Sequence, residues 1–490
     1  MEIQVNQKDI LFLLVCLGLG ILTEISFFHG KIGLSYPVFI TGFYFVLFLR
    51  FRLTFNHRRI GLLLMGAIWV LAGGYLFYDN EFFHQLNLLI IPILVFFHIV
   101  LITSPNEFRW SKPEFMTLLT MKFQEGMQYS SAFCKGIFKG IFKNMNEQET
   151  QTIKRILIGL VIGIPLLLMI TGLLMSADAV FQDIVLRVPE FVLQFNFLEG
   201  TLRVAAVILF TLLFFSIFQV LQVTKPAVNS IIDREKKKIR WDSVIAVTIL
   251  SMLNAVYVLF AAIQFTYFFS DGLQGGFTYA EYARRGFFEL VFVTLINWTI
   301  LISFLKLVKD NRKGMKLTLK VMNSLLIVVS GVMLVSAYQR LNMYEAAYGF
   351  TLDRVLAHAF MIFLIVIFAY TLIRVWIERL TLLHFYIIVG LTFYTVLNAM
   401  NIEEIIVDNN LDRFEETGKI DVYYLNSLSY TGLNGLIALY EVEPEYPELE
   451  NILINRKQQM ERQPEGSWQS FNFTRQKVME KLKELELGNS

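Results

Sequence analysis

The sequence predicts an all-α, polytopic membrane protein with about eleven transmembrane helices and a small helical extramembrane C-terminal domain. Three observations point there. Of 490 residues, 55% are hydrophobic, 15% aromatic and only 17% charged, with mean hydropathy +0.55, which leaves too little polar surface to clothe a soluble globule of this size. Long stretches free of Asp, Glu, Lys and Arg recur at a length that suits a hydrocarbon core about 30 Å thick. The basic residues fall mostly in alternate connections between those stretches, as expected when Lys- and Arg-rich loops stay on the cytoplasmic side.

The candidate spans lie near 9–28, 33–49, 60–78, 85–103, 155–176, 203–223, 243–269, 287–305, 318–338, 354–374 and 381–400. The first two are the weakest. The first has a signal-peptide look, but its only early positive charge is Lys8, no Ala-x-Ala-like cleavage site follows, and Glu24 interrupts its far end, so it reads as a helix. With the N-terminus inside, the inner segments carry 27 Lys and Arg and the outer loops seven: Lys31, Arg187, Arg203, Arg284, Arg285, Arg340 and Arg354. An odd number of spans then places the C-terminal tail outside. The implied organisation is a four-helix membrane region over 1–103, a cytoplasmic segment over 104–153, a seven-helix membrane core over 154–400 and an outward-facing C-terminal domain over 401–490.

Segment 104–153 is too polar to span but is amphipathic. Lys135, Lys139 and Lys143 recur four apart while Phe138, Ile141, Phe142 and Met145 line another face, the pattern of a helix lying on an anionic inner leaflet; packing against the cytoplasmic face of the bundle is the alternative. The run Arg234-Glu-Lys-Lys-Lys238 reads as a positive-inside anchor. From 401 onward there are 17 Asp and Glu against nine Lys and Arg. Leu425, Leu428, Leu436 and Leu439 recur at helical spacing, Pro444 and Pro447 break the chain, and a charged helix over 474–487 begins after Asn472 or Thr474. Trp468, Phe471 and Phe473 form an aromatic stretch suited to a packing contact on the rim of the bundle. Cys16 in an apolar run and Cys134 in a basic loop are expected at different depths, without a disulfide.

Ionisable residues in or beside spans are costly and so mark candidate sites. In the first cluster, Thr278-Tyr279-Ala-Glu281 matches a capping box, and Tyr282, Arg284, Arg285 and Glu289 follow. Arg285 and Glu289 at i, i+4 suit a local pair, which leaves Arg284 without one. Structural capping and an anion or head-group site are both open readings here. The second cluster runs from Tyr338 through Arg340, Tyr344, Glu345, Tyr348 and Gly349 to Asp353, Arg354 and His358. Arginine, tyrosine and carboxylate near a helix start suit a phosphate or carboxylate, because a guanidinium fork and helix N-terminal N–H groups both favour anions; an aromatic belt with rim salt bridges is the alternative. Asp178, Asp183, Glu403, Glu404 and Asp408 add carboxylates at the same depth. Asn254, Gln264 and Asn297 read as interhelical hydrogen-bond glue.

The function classes narrow accordingly. A net charge of +2, with no basic arm or zinc spacing, gives no ground for nucleic-acid binding. No hydrolase serine elbow, phosphate-binding loop or His-Glu-x-x-His pair occurs, and neither a metal nor a cofactor is expected. Apart from Pro37 near the start of the second, only Pro92 and Pro165 fall within spans, and no half-to-half repeat is visible, which weighs against a secondary transporter.

At Tyr279-Ala-Glu-Tyr-Ala-Arg-Arg-Gly-Phe-Phe-Glu-Leu290 the chain resembles a bacterial family of multispan membrane proteins catalogued as domain of unknown function four-one-seven-three. Ser176–Phe181, Tyr257 with Phe260 and Gln264, Arg340–Gly349 and Trp468–Arg475 follow in the order of that family, so the resemblance covers roughly 150–475. It implies a bacterial cytoplasmic membrane and brings no reaction or catalytic residue with it.

The reading that best accounts for the one-sided charge is a non-catalytic membrane protein. Its outer cluster of Tyr279, Glu281, Tyr282, Arg284, Arg285, Glu289, Arg340, Tyr344, Glu345, Asp353, Arg354 and His358 would bind or move an anionic amphiphile, a lipid or lipid-linked head group. Two alternatives stand beside it. One is a membrane-embedded transferase or hydrolase with Glu281, Asp353 or His358 as general base. The other is a sensor or scaffold that meets a protein partner through 401–490.

Overall fold

The computed structural model describes residues 7–51, 56–105, 110–141, scattered positions within 152–178, 197–222, 241–308, except 270–286, then 310, 312–462 and 466–487. Among them the chain is helical throughout, with one isolated bridge between Trp241 and Val308. In chain order the helices are α1 (Gln7–Phe27), α2 (Ser35–Phe51), α3 (Arg58–Phe77), α4 (Glu81–Thr103), α5 (Pro113–Ile141), α6 (Phe197–Gln222), α7 (Ser243–Phe269), α8 (Phe287–Leu307), α9 (Lys313–Tyr348), α10 (Leu352–Trp376) and α11 (Leu382–Ala399). The C-terminal domain follows as α12 (Ile402–Thr417), α13 (Val422–Ser427), α14 (Tyr430–Val442), α15 (Leu449–Arg462), a 3₁₀ turn at Trp468–Ser470 and α16 (Phe473–Glu484).

Nine described helices are long and apolar enough to cross a membrane: α1, α3, α4 and α6 to α11. They coincide with nine of the eleven candidate stretches. The stretch near 33–49 forms the shorter apolar helix α2, and in the stretch near 155–176 the described positions, 169–176 among them, are helical while the others lie outside the described residues. The chain is therefore an all-α polytopic protein with the character of an integral membrane protein.

The helices fall into two compact units, one comprising Met1–His57, Ile99–Phe108 and Glu114–Ile231, the other Arg58–His98, Arg109–Pro113 and Ile232–Ser490. In the first, α1 packs between α2 and α6. Its core is aromatic: the Phe12 and Phe218 rings lie 5.8 Å apart and Phe43 and Phe214 also 5.8 Å. A side chain at Gly20 would meet Thr211 and the Val207 carbonyl of α6, so glycine is what lets α1 and α6 approach. Charges sit at the two ends of this unit. Arg50 reaches Asp9 at 3.7 Å and Gln222 at 2.8 Å at one end, while Arg203 pairs with Glu199 at 2.6 Å and Glu24 at 3.4 Å at the other. Helix α5 starts earlier than its lysine periodicity suggests, and Phe115, Leu118 and Phe133 are buried on one face. Both cysteines are free thiols, Cys16 buried and Cys134 half-buried.

The second unit is organised around α9, which packs against α7, α8 and α10. Leu250, Leu301, Leu326, Leu334, Met361 and Leu364 are fully buried in this core. Two of the three expected polar bridges are present: Asn297 Nδ2 donates to Ser330 Oγ at 3.0 Å and Asn254 Nδ2 to the Met322 carbonyl at 3.0 Å. The Gln264 side chain lies outside the described residues. Cysteine-free polar pairing also links α4 to α11, where Asn87 Nδ2 donates to Asn398 Oδ1 at 2.7 Å and Tyr394 donates to Asn87 Oδ1 at 2.6 Å. At one end of the unit Lys316 and Lys320 meet Glu378 at 2.8 and 3.1 Å, and Asp310 accepts from Ser243 Oγ at 2.5 Å and from Arg312 at 2.7 Å.

Helix α9 is longer than its apolar stretch. At 36 residues it runs about 54 Å, against a hydrocarbon core of about 30 Å, and so continues several turns past 318–338. Tertiary contact sustains that extension, because Leu341 and Glu345 on the added turns are buried. The C-terminal domain covers this end. Its five helices enclose Leu425, Leu433, Leu436, Leu449, Leu453, Val478 and Leu482. Asn401, Asp421, Ser429 and Asn472 cap α12, α13, α14 and α16, each side chain accepting from a backbone N–H in the first turn. Asn472, one of the two expected starts, thus opens the last helix, and the break at Pro444 and Pro447 falls between α14 and α15.

Candidate functional site

The site begins at the tight connection between α9 and α10. Gly349 ends α9 with φ +83°, a conformation suited to glycine, and its N–H donates to the Glu345 carbonyl at 2.7 Å. Only Phe350 and Thr351 follow before α10 starts. This short reversal brings the last turns of α9 against the first turns of α10. Glu345 Oε2 and His358 Nε2 meet at 2.9 Å, and the Tyr338 ring stands edge-on to the imidazole at 4.4 Å. Glu345 is 4% exposed. Among the described residues, its Oε1 and the Nδ1 of His358 are both buried without a hydrogen-bond partner.

Arg354 occupies the same face of α10 one turn before His358. Its guanidinium lies over the Tyr344 ring at 4.3 Å and donates to the Gly349 carbonyl, while Tyr344 and Tyr348 pack at 4.8 Å. Among the described residues no carboxylate lies within ion-pair distance of Arg354, since Glu345 is turned inward to His358. Asp353 is exposed in the first turn of α10, Arg340 is half-buried on α9, and Glu289 is exposed in the first turn of α8. Tyr279, Glu281, Tyr282, Arg284 and Arg285 lie outside the described residues. Of the predicted set, the structure therefore joins Tyr344 with Arg354 and Glu345 with His358, and it sets Glu289 on a separate helix start.

Several residues that shape the site come from the C-terminal domain, far along the sequence. Asn410 of α12 accepts from Phe350 N at 3.0 Å and donates to the Phe350 carbonyl at 2.9 Å. Tyr424 accepts from Leu352 N at 2.8 Å, satisfying a free donor at the start of α10. Arg413 donates to the carbonyls of Ala346 and Ala347 at 3.2 and 2.8 Å, completing the end of α9. No motif announces these three. The one hint is a polar Asn410 on a helix whose neighbours Ile406 and Val407 are buried.

Glu403, two residues into α12, is 4% exposed and accepts from the Ser429 hydroxyl. Burial pushes its carboxyl up to about 7; the Ser429 hydrogen bond opposes that rise, and the charges of Asp79 and Glu81 add to it. On the rim beside it, Asn472 Nδ2 donates to the carbonyls of Tyr75 and Tyr78 at 2.9 and 2.8 Å, and Phe473 stacks on Phe77 at 5.6 Å. The aromatic stretch around Trp468 thus docks as a packing contact at the end of α3.

Chemically, this arrangement offers a tyrosine-backed guanidinium beside a buried histidine held by a carboxylate. Among the described residues, no three His, Cys, Asp or Glu side chains converge as metal ligands.

Comparison with curated proteins and with solved structures finds no match. A family model matches residues 65–439, from within α3 to within α14. It reaches further toward the N-terminus than the motif resemblance, which starts near 150, and it carries the number 4153 where that resemblance carries four-one-seven-three. The chain belongs to the family described as Domain of unknown function (DUF4153).

Proposed function

We propose that this protein binds or moves an anionic amphiphile, a lipid or lipid-linked head group, at the end of the bundle where α9 meets α10, and that it acts without chemically transforming it. One observation carries the reading: the Arg354 guanidinium lies over the Tyr344 ring at 4.3 Å, tied by the Gly349 carbonyl and with no described carboxylate within ion-pair distance. A guanidinium held this way keeps N–H donors available for a phosphate or carboxylate, and its stacking cost is met before the ligand arrives. Arg284, Arg285 and Arg340 are the further cations assigned to the site, with Tyr279, Glu281, Tyr282 and Glu289 around them. The concentration of Lys and Arg at the opposite connections supports an outward-facing site, with the N-terminus inside and the C-terminal domain outside.

The test is mass spectrometry of lipids that co-purify with the wild type, with Arg354→Ala and with Arg284→Ala/Arg285→Ala, each against an unrelated membrane protein from the same cells. One anionic species enriched with the wild type and lost with Arg354→Ala is expected. Equal lipid profiles for all three would overturn the reading.

A second reading rests on the Glu345–His358 pair. A carboxylate on one imidazole nitrogen leaves the other as a proton acceptor, the arrangement a transferase or hydrolase would use. Turnover of the co-purified lipid by the wild type, absent in His358→Ala, would favour it.

A further inference from the structure

Helix α5 carries three stripes along its length. The first, Phe115, Leu118, Lys122, Gly126 and Phe133, is buried, and it meets the last turns of α6: the Phe133 and Phe215 rings lie 5.0 Å apart, and Lys122 Nζ donates to the Val220 carbonyl at 3.4 Å. Lys122 also pairs with Glu125 at 2.8 Å, so its charge is matched where it is buried. The second stripe is apolar and exposed: Met116 at 49%, Phe123 at 52%, Met127 at 54% and Ile137 at 43%. The third is polar and exposed, comprising Thr117, Thr120, Gln124, Gln128, Ser131 and Lys135. At 3.6 residues per turn the apolar stripe sits roughly 100° around the helix from the buried one, and the polar stripe roughly another 100° beyond it.

Packing on α6 therefore accounts for only one of the two apolar faces. An exposed row of Met, Phe and Ile about six turns long is costly in water, by about 25 cal/mol for each Å² of apolar surface. Its neighbours indicate what covers it. The α6 contacts lie at Phe215 and Val220, within the final turns of a helix long and apolar enough to span, so α5 sits where the hydrocarbon surface of that helix ends. The apolar stripe continues that surface, and Lys135 stands on the polar side where lipid phosphates would lie.

We propose that α5 docks on the bilayer itself: the face of Met116, Phe123, Met127 and Ile137 inserts among the acyl chains at the interface, while the face of Thr117, Gln124 and Gln128 stays in water. The occupant is the lipid surface, and the helix joins the end of the α1, α2 and α6 bundle to the plane of the membrane. This assignment is independent of the anion site at α9 and α10.

The test uses the full-length protein in vesicles of phosphatidylcholine with phosphatidylglycerol. Single cysteines are introduced at 116, 123, 127 and 137 and at 117, 124 and 128, in a background with Cys16 and Cys134 replaced by serine, and each is spin-labelled. Collisions with oxygen, which concentrates in lipid, are compared with those of a water-soluble nickel chelate. The oxygen-to-nickel ratio is expected to exceed one at the four apolar positions and to invert at the three polar ones, following the helical period. Nickel accessibility along both stripes would overturn the proposal by placing the apolar face in water. Labels at 116, 123, 127 and 137 that are immobilised and shielded from both reagents would overturn it in favour of a protein partner.

Discussion

Glu345 and His358, thirteen residues apart, face each other across the α9–α10 turn with Oε2 and Nε2 at 2.9 Å and the glutamate almost fully buried. Such a pair contributes little by itself, because desolvation offsets much of the attraction, but the loss of one partner strands the other. His358→Ala is expected to cost about 3–5 kcal/mol, whereas Glu345→Gln, which keeps an acceptor for the ring, should cost less than half of that. Thermal unfolding of the purified protein in detergent checks both. Equal losses would show that the charge of Glu345, rather than its hydrogen bond, is what the histidine needs.

Gly349 and Asn410 constrain each other. A methyl group at 349 would lie 2.6 Å from Asn410 Oδ1, on a backbone already at φ +83°. Gly349→Ala is therefore expected to destabilise by about 1–3 kcal/mol. Asn410→Ala, which deletes both bonds to Phe350, should cost a similar amount by leaving the Phe350 N–H and carbonyl unpaired. The double variant should lose less than the sum, since the clash disappears with the asparagine side chain, and a double-mutant cycle reads that difference.

Glu403 makes the seat of the C-terminal domain pH-dependent. Its carboxyl is raised from an ordinary 4.5 to about 7, so the folded chain holds a proton that the unfolded chain releases in between. The stabilising contribution is complete below pH 4.5 and is lost as the pH rises through 7, with a span of up to about 3 kcal/mol. Protease resistance of 402–487 should fall between pH 5 and 8 in the wild type and stay level in Glu403→Gln, whose side-chain carbonyl still accepts from Ser429. An unchanged slope in that variant would assign the pH dependence to another group.

Asn472 does two jobs with one side chain. It caps α16 through the Arg475 N–H at 3.0 Å and holds the carbonyls of Tyr75 and Tyr78. Asn472→Ala should cost about 1–3 kcal/mol and raise hydrogen exchange in 473–484. Exchange in α12, anchored separately by Asn410 and Arg413, should not change.

The helical class, most of the spans, the helical character of the C-terminal domain and the start of its last helix after Asn472 were legible because each depends on local periodicity or on a side chain bonding its own backbone. The interhelical roles of Asn254 and Asn297 were legible too, since an amide in an apolar stretch must find a partner. The pairing inside the candidate site was only half legible. Composition near a helix start singles out Arg354, Tyr344, Glu345 and His358, but their spacing does not say that Glu345 pairs with His358 while Arg354 lies over Tyr344.

Sequence by itself determined that the chain is a bundle of apolar helices with charge concentrated at their ends, because hydropathy and helical period are properties of contiguous residues. Only tertiary structure decided that α9 runs past its apolar stretch, that Arg413, Asn410 and Tyr424 complete the α9–α10 turn, and that Glu403 is buried. Those outcomes depend on pairs separated by scores of residues, whose backbone donors and acceptors become unsatisfied, and so demand partners, only once the helices have packed.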